Sequence, residues 1–152
     1  ISFQELGDQL VHMSMNWVGF PCSFSSIYAK CTRLSKRDLW GAMREVSNQF
    51  LGPWMVAGNF NVIPKTSERS RGAPPNERNM EEFNETMFNC GLVEVDFDGS
   101  PFTWTNRAVW QHLDRVLVSE AWLNLFGITT VSHLVHGRWD HVPLLIRCGQ
   151  SQ

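Results

Sequence analysis

The sequence predicts an α+β layered domain, and three observations carry that expectation. Two stretches with helical periodicity are interleaved with many short runs of strand character, the pattern of helices laid on sheets. No glycine-rich phosphate loop follows a strand and opens a helix, which argues against a Rossmann-type parallel sheet. At 152 residues, with 43% hydrophobic and 18% charged residues, the chain has the composition to bury one core rather than remain disordered. A single domain is therefore expected over residues 1–152, and Ile1 reads as mid-sequence, as in a partial domain.

Gln9 to Val18 alternates apolar and polar residues, the period of a half-buried strand. Phe20-Pro21-Cys22 is expected to break it, and Phe24 to Ala29 gives a second strand. From Arg33 the period changes: Leu34, Leu39, Trp40, Met43, Val46 and Phe50 form a helical stripe, with Ser35 as N-cap and Gly52-Pro53 as stop. Trp54-Met55-Val56-Ala57-Gly58 is continuous and apolar, as in a strand buried on both faces, and it delivers Asn59-Phe60-Asn61 at its end. Lys65 to Asn79 reads as a polar surface loop carrying Arg69, Arg71 and Arg78. Met80 to Asn89 forms a second helix, with Phe83, Met87 and Phe88 on its apolar side. Strands are expected at 92–95, 102–105, 113–118, 128–135 and 143–146, with a brief helix at 121–125.

Charge and cysteines narrow the function classes. Thirteen Lys and Arg against fifteen Asp and Glu exclude a nucleic-acid binder that works by bulk charge, so any such contact needs a local patch. Lys65, Arg69, Arg71 and Arg78 could form one, or could be a solvated loop balanced by Glu68 and Glu77. No apolar run approaches the roughly 20 residues of a membrane helix, and no signal-peptide architecture is present. The expectation is an intracellular protein, nuclear or cytoplasmic, without a membrane partner. Cys22, Cys31, Cys90 and Cys148 lack close metal-type spacing, which favours free, mostly buried thiols over disulfides or zinc.

Three constellations could carry chemistry. Asn59 and Asn61, two apart on an extended segment, would share a face and could orient a water or a phosphate oxygen; the alternative is an Asx turn that satisfies its own backbone. Asp114 lies in a strand-like stretch that disfavours Asp and so needs a partner, for which Arg115 would serve in the bland reading. Asp140 and His141 place acid and imidazole side by side before a strand, suited to metal or phosphate contact or to a solvated turn in which Asp140 pairs with Arg138. Zinc on His133, His136, Asp140 and His141 is disfavoured, because in a strand His133 and His136 point to opposite faces.

Taken in order, Pro53 to Ile63 (PWMVAGNFNVI), Cys90-Gly91-Leu92, Phe102 to Asn106 (FTWTN), Leu113 to Val118 (LDRVLV) and Asp140 to Leu144 (DHVPL) resemble the endonuclease/exonuclease/phosphatase superfamily, whose fold is shared with DNase I. The sequence is most similar to the endonuclease domain encoded by plant LINE-type (non-LTR) retrotransposons, and Ile27-Tyr28-Ala29 and Arg37-Asp38-Leu39-Trp40 fit that group too. The resemblance runs over nearly the whole chain. It implies part of a four-layer α/β/β/α sandwich and Mg2+-dependent cleavage of phosphodiester bonds in nucleic acid. On this resemblance Asn59 and Asn61 align with the motif that activates the attacking water. Asp140 would assist the metal, His141 would hold the scissile phosphate and Asp114 would orient that imidazole. Tyr28 would contact the phosphate, and Trp104 and Asn106 would lie near the nucleic-acid cleft.

The departures from the family pattern are equally definite. Asn59 stands where the family has Asp, and a carboxamide cannot accept the proton of an attacking water. The family's N-terminal segment, with its Asn and chief metal-binding Glu, has no counterpart, and Glu5 does not take that role. Trp139 replaces the small residue that usually precedes Asp-His. The expectation is a weakened, retrotransposon-derived phosphodiesterase. The alternatives are a catalytically dead remnant that binds nucleic acid or protein, and a domain recruited to unrelated chemistry. Absent N-terminal strands would leave a long apolar sheet edge, covered in a homodimer or by a partner.

Overall fold

A computed structural model describes residues 1–150. In chain order the elements are β1 (Ser2–Glu5), β2 (Leu10–Trp17), β3 (Phe20–Tyr28), α1 (Arg37–Gln49), β4 (Trp54–Asn59), β5 (Arg69–Ser70), α2 (Glu77–Asn89), β6 (Leu92–Glu94), β7 (Phe97–Gly99), β8 (Trp104–Thr105), β9 (Trp110–Gln111), β10 (Asp114–Ser119), α3 (Glu120–Leu125), β11 (Ile128–His133) and β12 (Leu144–Gly149). A six-stranded sheet runs β1-β2-β3-β4-β10-β6, and two three-stranded sheets run β12-β11-β7 and β5-β9-β8.

Alternation along β4 separates the two cores. Trp54 and Val56 point to the face covered by Leu39, Trp40, Met43 and Val46 of α1 and by Phe83 and Met87 of α2. Met55 and Ala57 point to the opposite face, where Val116, Val118, Trp122, Phe126 and Val131 are buried. The layers therefore run helix pair, six-stranded sheet, three-stranded sheet. β4 reads as continuously apolar because both its faces are covered.

Several local expectations are corrected. Phe20-Pro21-Cys22 lies inside β3, and the chain reverses at Val18-Gly19, both at positive φ as a two-residue hairpin turn of the primed type requires. Pro21 is tolerated because β3 pairs β4 only from Ser23 onward, so its missing N–H faces no neighbour on that side. Ser35 does not cap α1. It shares a 2.5 Å hydroxyl contact with Thr32, and α1 begins after Lys36. The stretch 65–79 is not one loop: Thr66–Glu68 is a 3-10 turn, β5 follows, and Arg78 belongs to the first turn of α2, which Asn76 caps. Phe88 projects into solvent, one residue past the buried Met87. All four cysteines are free, but only Cys22 and Cys90 are buried. β1, β7 and β9 were not expected, being four, three and two residues long.

Gly58 is required by packing. It has φ +141°, and a Cβ there would meet the Ile27 carbonyl oxygen at 2.0 Å. This close approach of β4 to β3 brings Tyr28 opposite Asn59 at the end of the parallel pair.

Candidate functional site

The C-terminal ends of β3 and β4 and the start of β10 meet at one point of the sheet edge, where Asp114 pairs with Asn59 and Asn59 with Tyr28 in the strand register. A cavity of about 390 Å³ opens there, lined by Tyr28, Asn59, Asn61, Trp104, Asp140 and His141 among others. Five separate stretches of sequence thus converge on it.

The Asp114 carboxylate is the anchor. It does not pair with Arg115 but accepts a hydrogen bond at 2.7 Å from Nδ1 of His141. Thr103, fully buried, fixes it from behind, because its hydroxyl oxygen accepts from the backbone N–H groups of Leu113 and Asp114 at 3.0 and 2.9 Å. The His141 backbone is held too: Trp104 bridges it, Thr105 N–H donates to the Asp140 carbonyl at 3.0 Å and Val142 N–H to the Thr103 carbonyl at 2.7 Å. With Nδ1–H committed to Asp114, Nε2 is the nitrogen left to a ligand, as acceptor when neutral and donor when protonated.

Of the two readings of the carboxamides, the structure shows the Asx turn rather than the shared face of an extended pair. Asn61 has φ +48°, and its backbone N–H donates to the Asn59 side-chain oxygen at 2.8 Å, which is an Asx turn. Asn61 Nδ2 donates to the Ala29 carbonyl at 2.6 Å. Asn59 is buried, and its oxygen already serves the turn. Tyr28 is 73% exposed at the cavity wall.

Of the predicted nucleic-acid contacts, Trp104 lines this cavity, whereas Asn106 lines a neighbouring one and uses its side-chain oxygen to accept from Ala108 and Val109 N–H. Arg71 lies over the Trp110 ring at 5.7 Å, and Arg69 Nε donates to the Arg71 carbonyl at 3.3 Å, so these two are grouped with an aromatic that the sequence reading did not single out. His133 is buried, donating from Nδ1 to the Ser100 carbonyl at 2.6 Å and stacked on Phe97, apart from any ligand role.

Arg115 points to the opposite face from Asp114. It is buried and holds Glu68 at 2.6 Å and Glu94 at 3.1 Å, while His112 donates from Nδ1 to Glu68 at 2.8 Å. Sequence reasoning missed this network entirely. Its only signal was an Arg amid an apolar strand run, which calls for a carboxylate partner.

Magnesium does not fit the donors present. Among the described residues no group of three or more His, Cys, Asp or Glu side chains is placed to hold a metal ion. Asp114 is committed to His141 and Asn59 is neutral, so Asp140 is the one carboxylate left on this cavity. An octahedral ion would need its other ligands from water, from a phosphate or from residues outside these 152.

No protein-family model matches the chain, and no curated protein matches it in sequence. Solved structures do match in shape. The endonuclease domain of TRAS1, a telomere-specific non-LTR retrotransposon, superposes with a TM-score of 0.71 at 13% identity over 91% of this chain. The 3′ phosphatase NExo from Neisseria, bound to a product DNA hairpin, gives 0.67 at 17% identity over 93% of this chain and 65% of its own. A beta toxin from Staphylococcus aureus, with bound magnesium ions, gives 0.55 at 14% identity over 92% of this chain and 53% of its own. The chain spans about 60% of the length of the TRAS1 domain. The fold is DNase I-like, and its neighbours include nucleases and phosphatases. No helix among the described residues is long and apolar enough to cross a membrane.

Proposed function

We propose that this chain is a weakened, retrotransposon-derived phosphodiesterase domain, of the plant LINE type, whose retained capacity is to seat a nucleic-acid phosphodiester. The observation that carries it is the Asp114–His141 pair at 2.7 Å on the wall of a cavity shared with Tyr28 and Trp104, on a DNase I-like fold. The Asp114 carboxylate holds the imidazole ring by Nδ1, which aims Nε2 at a phosphate oxygen whose charge grows during bond cleavage. The Tyr28 hydroxyl offers a second donor from the facing strand end. Asn59 and Asn61 shape the floor but supply no base.

Hydrolysis is the weakened part. Asn59 cannot take the proton of an attacking water, a loss of about 10²–10⁴-fold in rate. The donor set also leaves magnesium with Asp140 alone. A second reading, a remnant that binds nucleic acid without cutting it, is favoured by this shortage of carboxylates. In either case an added strand, from a second copy or another partner, would pair with β12, the six-residue edge of its sheet.

Nicking of supercoiled plasmid with magnesium, compared across the wild type, Asn59→Asp and His141→Ala, tests the proposal. Slow nicking that rises at least tenfold in Asn59→Asp and vanishes in His141→Ala is the expected outcome. Plasmid binding that needs His141, with no nicking in any variant, would establish the second reading. Neither binding nor nicking would overturn both.

A further inference from the structure

A second cavity of about 370 Å³ adjoins the first, lined by Thr105, Asn106, Arg107, His136, Arg138 and Trp139 among others, and Asp140 lines both. Building on the phosphodiester reading, we propose that this cavity seats one unpaired nucleobase, stacked on the Trp139 indole next to the phosphate held by His141. The substrate class would then be nucleic acid with a flipped, bulged or single-stranded nucleotide at the site of contact.

Trp139 is 78% exposed, an unusual state for the largest apolar side chain and one that a stacked base would relieve. The backbone beside it is held, since the Asp140 carbonyl accepts from Thr105 N–H at 3.0 Å. The opposite wall is fixed as well. The Asn106 side chain accepts from Ala108 and Val109 N–H at 2.9 and 2.7 Å and presents Arg107 at φ +74° at the tip of the turn. Arg107 and Arg138 supply guanidinium groups for a base edge or a flanking phosphate.

Inside the same cavity wall, Nε2 of His136 is buried with no hydrogen-bond partner. A buried polar atom without a partner is uncommon, and a small turn of the ring toward the cavity would let a base edge supply one. A base pair inside a duplex has no face to offer the indole, because its neighbours already cover both faces. An unpaired base has.

Labelled oligonucleotides separate the possibilities by fluorescence anisotropy, in EDTA so that metal plays no part. The three probes are a paired DNA duplex, the same duplex with a one-nucleotide bulge, and a single strand. The wild type is expected to bind the bulged or single-stranded probe more tightly than the duplex. Trp139→Ala should weaken that binding about 5- to 100-fold, leave duplex binding within about twofold, and keep the wild-type circular dichroism. Trp139→Phe should restore most of the preference. Equal binding to all three probes, or equal loss on all three in Trp139→Ala, overturns the base site while leaving the phosphodiester reading in place. No binding to any probe overturns that reading and the base site with it.

Discussion

Two histidines of this chain contact carboxylates at nearly the same distance, His112 to Glu68 at 2.8 Å and His141 to Asp114 at 2.7 Å, and only the second has the makings of a functional pair. The difference lies in what surrounds them. His112 has 3% of its side chain exposed, and Glu68 and Glu94 are shared with the fully buried Arg115. Each charge there is answered by another within the fold. Both histidines line a cavity, but His141 is 30% exposed in its own, with one nitrogen committed and the other available. The two sites are built from neighbouring residues of β10, since Asp114 and Arg115 project to opposite faces of one strand. Contact distance therefore does not identify a catalytic dyad. The exposure of the imidazole does.

The sharpest way to break this comparison is to remove the central charge from each site. Arg115→Met leaves Glu68 and Glu94 without their cation in a buried setting, and about 3–5 kcal/mol of stability is expected to go with it. Asp114→Asn keeps the shape of a partly buried pair and leaves no charge without a partner, so its stability should change by under about 1 kcal/mol. The functional ranking should reverse. In the Asn59→Asp background, Asp114→Asn should lower nicking about 10²–10⁴-fold, because the imidazole loses its orienting acceptor. Urea unfolding and plasmid nicking on the same preparations check both halves. Comparable destabilisation by the two substitutions would mean that the Asp114–His141 pair is also structural.

The same contrast explains what was legible in the sequence. Asp114, Asp140, His141, Asn59 and Tyr28 were picked out as site residues because motif order carried them, and the structure brings four of them to one cavity, with Asp114 hydrogen-bonded to His141 behind its wall. β4 and both long helices followed from apolar runs and helical stripes. The Arg115 network was not legible, since Glu68, Glu94 and His112 lie up to 47 positions away in loops and short strands whose pairing no local period encodes. The hairpin turn at Val18-Gly19 was missed because a β-branched residue rarely takes positive φ, so the neighbouring proline looked like the stronger punctuation. In sequence, Trp139 stood out only as a bulky residue in the place of a small one. Its exposure and the unpartnered His136 nitrogen beside it became visible only in three dimensions.

Acid sharpens the comparison at lower amplitude. Burial works to raise the Glu68 carboxyl, but the His112 hydrogen bond and the Arg115 guanidinium outweigh it and hold the group below its ordinary value of 4.5. A depressed folded pKa means that this stabilisation is complete above 4.5 and is lost as pH falls through the lower folded value. His12 and His133, kept from protonating mainly by burial, add loss that begins as pH falls below 6.5. Thermal melts should therefore decline in two stages from pH 7 to pH 3, and Glu68→Gln, though less stable at pH 7, should remove the second stage. A second stage of unchanged size in Glu68→Gln would place the acid-labile group elsewhere.

The smallest effect concerns a buried cation with no carboxylate against it. Lys36, with no exposed surface, donates from Nζ only to the Cys31 carbonyl at 3.1 Å and the Asn79 side-chain oxygen at 3.4 Å. Burial pushes its ammonium down to about 8 from an ordinary 10.5, with Cys31 and Glu82 pulling weakly the other way. Below pH 8 both folded and unfolded chains carry the proton. Between 8 and 10.5 the folded chain sheds it first, so stability should rise with pH across that window and be lost again on descending through 8. Cys90, raised by burial to about 11, acts with the opposite sign above pH 9, which makes a within-pH comparison necessary. Lys36→Met keeps Cys90 and removes the titration. The stability of the wild type relative to Lys36→Met should therefore improve from pH 7.5 to pH 10. If that difference stays flat, Lys36 is as well solvated as any surface lysine, and Arg115 is then the one buried cation on which the comparison rests.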